Sequence, residues 1–219
     1  MRSVLPTLII PVAGVLIMGL LMVYVIGKPL TAMSTGLTGW LAGMSTESAI
    51  ILGLIHGCMI AFDMGGPLNK ASYAFALAAS EAGNWIPLTT SCIAAMTPPL
   101  GIAIAIIISK KKFSKVERSA LPGLITGALC EITEFAIPFA VSDPFRVIPS
   151  LMAGSAVTGA LCYAFSMTLH APHGGMFVVF LCSNPLLFVL FWLIGGAITA
   201  ACLLLLKKPL TLEELEAED

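Results

Sequence analysis

Between Pro122 and Arg146 the chain places Glu131, Glu134, Asp143 and Arg146 inside sequence otherwise apolar enough for a bilayer. Each charge costs about a few kcal/mol at the centre of a membrane helix, so ionisable residues in such a setting are read first as functional. The apolar residues on either side of Glu134, Leu124 to Leu129 and Phe135 to Val141, are each too few to cross a membrane, and Pro138 removes a backbone donor just beyond. The backbone is expected to break here. Broken backbone at membrane depth survives only where protein or a watery cavity satisfies its polar groups, which makes Glu134 the centre of an expected ligand site.

Composition fixes the setting. With 58% hydrophobic and 11% charged residues and a mean hydropathy of +1.00, the chain carries less than half the charge of an ordinary soluble domain, about 25%. Stretches of roughly 20 apolar residues recur, and none shows the alternation of an outer-membrane barrel. The expected fold class is an all-α polytopic membrane protein with several transmembrane helices and re-entrant or broken helices at its polar motifs. A net charge of -1, without a basic face, excludes nucleic acid as a partner. Cys58, Cys92, Cys130, Cys162, Cys182 and Cys202 are scattered singly in apolar sequence, so they are read as packing residues and no metal site is expected.

Along the chain, Val4 to Ile26 is expected to span and to stay uncleaved, and residues 27–48 to form an interfacial helix with Trp40 at headgroup depth. Ala49 to Phe62 is about 21 Å long as a helix, short of the roughly 30 Å hydrocarbon core. It runs into FDMGGPLNK, where Asp63, Asn69 and Lys70 surround Gly65, Gly66 and Pro67. Two readings stand for this island: an exposed turn, or the break of a discontinuous transport helix. Ile86 to Ser109 is a full span containing Pro98 and Pro99. SKKKFSKVER, residues 109–118, and Lys207-Lys208 are expected on the cytoplasmic side. Three apolar segments, 119–141, 147–169 and 176–206, lie between these basic points. An odd number of crossings cannot return to the same side, so either the Glu134 segment folds back or the last one divides at Asn184-Pro185. A third island, HAPHGG at 170–175, supplies His170 and His173.

A neutral sugar offers hydroxyls that both donate and accept, and therefore calls for carboxylate and amide acceptors, a few N–H donors and an apolar wall. Asp63, Asn69, Glu134 and His173 supply that set, with Phe135 as a candidate wall. Asp143 and Arg146, three apart, either neutralise each other or contact ligand.

FDMGGPLNKASYAF, ITEFAIPFAVSDPFRVIPSLMAGSAVTGAL and LHAPHGGMFV closely resemble the membrane domain, enzyme IIC, of fructose-type permeases of the phosphoenolpyruvate-dependent sugar phosphotransferase system. The resemblance runs over nearly the whole chain and covers about the C-terminal two-thirds of that domain. It implies group translocation: fructose or a related hexose or hexose derivative is carried inward and phosphorylated by a separate IIB partner bearing a phosphocysteine. It implies a multi-pass protein of the bacterial cytoplasmic (inner) membrane, a homodimer, no cofactor, and no phosphorylated catalytic residue of the chain's own. Residues 1–208 would form a partial transport domain and 209–219 a short acidic cytoplasmic tail. By motif, Glu134 with Thr133, Asp63 to Pro67 with Asn69, and Ala171 to Gly175 correspond to sugar-site sequence, which brings in Gly65, Gly66, Gly174 and Gly175. Glu131 and Phe135 stand where the family usually has glycine, and His170 where it usually has arginine. The alternatives are a proton-coupled sugar symporter, in which Glu131 and Glu134 titrate, and a truncated or split permease that does not transport alone.

Overall fold

A computed structural model describes residues 10–21, 24–25, 32, 35–36, 39 and 49–209. Most of the expected interfacial helix, Trp40 included, most of the acidic tail, and both ends of the first expected span lie outside the described residues. The helices are α1 Ile10–Leu21, α2 Ala49–Phe62, α3 Pro67–Glu81, α4 Ile86–Ile108, α5 Lys115–Ser119, α6 Leu121–Cys130, α7 Ile137–Ser142, α8 Pro144–Ala164 and α9 Pro185–Leu206, with short 3-10 turns at Lys110–Lys112, Thr133–Ala136 and Gly175–Leu181. Among the described residues there is no strand, and one isolated antiparallel bridge joins Leu169 to Cys182. The all-α membrane fold class holds.

Among the described residues three helices, α4, α8 and α9, are long and apolar enough to cross a membrane. Their direction follows from their contacts: α4 and α9 run parallel, with α8 antiparallel between them. Helix α4 is the hub, buried along nearly its whole length. Close approach comes from small residues. A methyl group on Gly53 or Gly57 would strike the backbone of Gly159 or Ser155, and one on Gly154 would strike Thr199 and the Gly195 carbonyl. With lipid tails as apolar as leucine, such backbone-to-backbone packing holds helices together where a hydrophobic driving force between them is missing.

The pairings of Gly53 with Gly159 and Gly57 with Ser155 set α2 antiparallel to α8. Helix α2 therefore enters from the end at which α4 begins, stops at Phe62 inside the bundle, and α3 brings the chain back to Trp85 at the same end. From the opposite end α6 enters, the chain turns at residues 131–136, and α7 returns. Ser142 at the end of α7 reaches Glu117 beside the basic loop at 3.4 Å. So 121–142 folds back, and between the two basic points α8 and α9, an even number, are the helices long and apolar enough to cross. Asn184-Pro185 does break the last segment, but into a seven-residue 3-10 turn and one full-length helix, because the Asn184 side chain accepts the Leu187 N–H and caps α9. Pro138 is no breaker: it sits in the first turn of α7, where a missing donor costs nothing.

The basic loop is built, not merely solvated. Ser114 and Glu117 cap α5 reciprocally. Lys112 Nζ donates to the carbonyls of Leu204 and Lys207, each at 2.6 Å, closing the C-terminus of α9. Lys207 pairs with Glu117 at 2.7 Å and lies over the Phe113 ring.

Candidate functional site

The two fold-back hairpins enter from opposite ends and meet inside the bundle. A ten-residue helix such as α6 rises about 15 Å, half of a hydrocarbon core of roughly 30 Å, so it carries the 131–136 corner into the bundle without spanning it. Here a cavity of about 460 Å³ opens, lined by Ile60 from α2, Asn69, Lys70 and Tyr73 from α3, Ser91 and Ala95 from α4, the corner residues Glu131 to Glu134, and His173. That volume suits a small polar ligand.

The corner exists because α6 ends at Glu131 in the left-handed conformation, φ +63°. A residue bearing a Cβ there costs about 1–2 kcal/mol and persists only where its surroundings hold it. The surroundings are two glycine breaks, one for each glutamate. Gly65, at φ +100°, lies under Glu134, and a Cβ there would come within 2.6 Å of Oε1. Gly174 and Gly175 both donate their N–H to Glu131 Oε2, at 3.0 and 3.1 Å. DMGG and PHGG are thus used differently in space: Gly174 and Gly175 both receive the Glu131 carboxylate, whereas in the first break only Gly65 lies against Glu134.

Glu134 is exposed to the cavity, and Thr133 Oγ1 lies 3.4 Å from its Oε2, a weak contact that leaves lone pairs for hydroxyl donors. Asn69 is buried, with Nδ2 donating to the Ile60 carbonyl at 2.6 Å, which leaves its oxygen as an acceptor. Ser91 belongs to a Thr-Thr-Ser run, yet its hydroxyl lies 2.9 Å from Nε2 of the fully buried His56, whereas Thr89 and Thr90 bond back to carbonyls four residues earlier. His56 is held edge-on between Phe75 and Tyr163. Tyr73 donates its hydroxyl to the Pro172 carbonyl at 2.6 Å and supplies the aromatic wall.

The structure gathers Asn69, Thr133, Glu134 and His173 at one cavity and leaves others outside it. Asp63 is turned to its own chain: its two carboxylate oxygens accept the N–H groups of Leu68 and Asn69 at 2.7 and 2.9 Å, opening α3. Gly66 makes room for that carboxylate rather than for a ligand. Phe135 is not the wall, because its ring lies against Gly123 and Gly127, where a methyl on Gly127 would come within 2.7 Å. His170 packs at a tilt against Trp85, centroids 4.6 Å apart. Asp143 and Arg146 pair with each other at 2.9 Å and line a different cleft, beside Glu117 and Lys207. Among the described residues no group of acidic, histidine and cysteine side chains could hold a metal. Sequence reading passed over Tyr73, Ser91 and His56. Tyr73 had a signal, since it falls four residues after Asn69, on the same face of α3; Ser91 and His56, 35 residues apart on different helices, had none.

The chain is similar to the fructose permease IIC component of Bacillus amyloliquefaciens, 46% identical over 204 residues that make up 93% of this chain and 67% of that protein. It is similar also to the PTS system fructose-specific EIIC component of Haloferax volcanii, 42% identical over 198 residues, 90% of this chain and 52% of that protein. The PTS system fructose-specific EIIB'BC component of Rhodobacter capsulatus is 45% identical over 212 residues, 95% of this chain and 37% of that protein. The chain thus spans little more than a third of the length of that longer relative. No family model matches the chain, and no solved structure matches it.

Proposed function

Since the chain belongs to the fructose-specific enzyme IIC family of phosphotransferase-system permeases, we propose that it is the membrane subunit that binds fructose or a closely related hexose in the cavity between its two fold-back hairpins. The observation that carries this is the exposed Glu134 carboxylate at that cavity, within a ring of Asn69, Thr133, Ser91 and His173. A carboxylate accepts from two adjacent hydroxyls, and such charge-assisted bonds are about twice as strong as neutral ones. An analogue lacking those hydroxyls would leave the acceptors unpaired and be rejected. Gly65 contributes by letting the carboxylate approach bare backbone; Gly174 and Gly175 contribute through their N–H groups.

In this reading the sugar is handed to a phosphorylated IIB protein at the end of the bundle that carries the basic loop and Lys207. The sugar hydroxyl attacks the phosphoryl group, the cysteine thiolate leaves, and the sugar phosphate is released inside. Buried cysteines have no part in that transfer. Cys92, Cys162 and Cys182 are buried among helices, and a phosphoryl donor must reach the acceptor oxygen in line. Residues 1–208 carry a partial transport domain, 209–219 the cytoplasmic tail, and the protein is a multi-pass homodimer of the cytoplasmic membrane.

The test is reconstitution. Proteoliposomes holding this chain are expected to release labelled fructose phosphate only when a phosphorylated IIB protein is added. Concentrative uptake of unmodified sugar driven by a proton gradient would replace the proposal with a symporter, and inactivity in the presence of the donor would mark a chain that does not transport alone.

A further inference from the structure

We propose that Glu131 is a positioning residue, whose buried carboxylate clasps the loop carrying His173, Gly174 and Gly175 onto the end of α6 and thereby sets one wall of the cavity. The inference rests on the reading of that cavity as a sugar site. Both glutamates border the cavity, but they differ in burial and in partners: Glu134 is exposed with one weak contact, and Glu131 is buried and bonded. Its side chain is 3% exposed, and a single oxygen, Oε2, accepts both the Gly174 and the Gly175 N–H. A buried carboxylate must have such partners, and charged acceptors make the stronger bonds.

The loop needs this clasp at this point. Its beginning is tied elsewhere, His170 to Trp85 and the Pro172 carbonyl to Tyr73. Beyond Pro172 the chain turns through two positive-φ glycines, Gly174 at +135° and Gly175 at +57°, and Gly175 lies against the Leu129 carbonyl of α6. Glycines that take such dihedrals have many other conformations open to them. The Glu131 carboxylate selects one. Direct attraction to the His173 ring is secondary: Nδ1 is 3.9 Å from Oε2, too far for a hydrogen bond, so Glu131 acts on His173 through the backbone of the next two residues. Glu131 itself is held at φ +63° to do this, and strain of that kind in a non-glycine residue is found where the surroundings over-determine it.

Three variants decide the matter. In Glu131→Gln the amide oxygen can take both N–H bonds, so the clasp survives without the charge. Glu131→Ala removes it, and Glu131→Gly removes it while relieving the positive φ, which guards against loss by misfolding. Amide hydrogen exchange over residues 173–176 of the purified protein needs no sugar. It is expected to quicken about tenfold or more in the Ala and Gly variants and to stay near wild type in Gln, as loss of hydrogen bonds to a charged acceptor requires. Fructose affinity by calorimetry should follow the same order, with a loss of about tenfold in Ala and Gly that is not increased by adding His173→Ala. A merely structural residue would lower thermal stability and leave that coupling at zero. Unchanged exchange in Glu131→Gly, or a Gln variant as damaged as Ala, overturns the clasp. If wild-type protein binds no sugar, the functional reading fails and the exchange measurement still decides the clasp.

Discussion

Gly65→Ala tests how Glu134 is presented. Two effects act together. An alanine at φ +100° adopts a backbone conformation that L side chains rarely take, at a cost of order 1–3 kcal/mol. Its Cβ would also lie 2.6 Å from Glu134 Oε1, 3.1 Å from Cδ and 3.3 Å from Cγ, against ordinary contact at 3.4–4 Å, so the carboxylate must retreat. A hydrogen bond to a charged acceptor contributes about 1.5–3 kcal/mol, and losing one raises Kd by about tenfold to somewhat over a hundredfold. Calorimetric titration of the purified variant with fructose reads this directly. Gly83→Ala is the control: φ is +88° there as well, but nothing lies within 4 Å of the added Cβ. It should lose comparable thermal stability and keep its affinity. Gly65→Ala binding fructose as tightly as Gly83→Ala would refute the idea that Gly65 seats the carboxylate.

Breaking the Lys207–Glu117 pair leaves the largely buried Glu117 carboxylate with only neutral donors, the Ser114 N–H and the Ser142 hydroxyl. Lys207→Met should lower unfolding stability by about 3 kcal/mol, and adding Glu117→Gln should recover part of it, as measured by denaturation in detergent. Gly57→Leu should separate α2 from α8 and lower the melting temperature sharply, since Ser155 backbone occupies the space a Cβ would need. His56→Phe and Ser91→Ala should each weaken fructose binding by about tenfold, with the double variant no worse than either, if His56 acts by aiming the Ser91 hydroxyl. A cysteine at Lys111 should be labelled by an impermeant thiol reagent in inverted vesicles and not in intact cells; labelling from outside would reverse the orientation read from the basic residues.

The helices were legible because apolar runs and their breaks carry strong signals. Ala49–Phe62 has the bounds that its composition suggests, and Ile86 to Ser109 differs by one residue at its C-terminus. Counting crossings between the basic segments narrows the choice to a fold-back of segment 119–141 or a division of the last one at Asn184-Pro185, and it takes the contacts to choose the fold-back. What sequence concealed was the direction of each side chain. Asp63 and Glu134 look alike as carboxylates beside broken helices, yet Asp63 faces two N–H groups of its own helix start and Glu134 faces the cavity. Phe135 follows Glu134 by one residue and therefore points elsewhere, onto the bare glycine face of α6. Long-range partners such as His56 with Ser91, or Glu131 with Gly174 and Gly175, depend on how the hairpins meet, which no local periodicity records.

The central claim is that Glu134 accepts the hydroxyls of a bound sugar. Calorimetric titration of wild-type protein and Glu134→Gln with fructose, both folded and membrane-inserted, tests it most directly. Loss of one charged acceptor should weaken binding more than tenfold in the variant. Equal affinity in the two proteins would contradict the assignment.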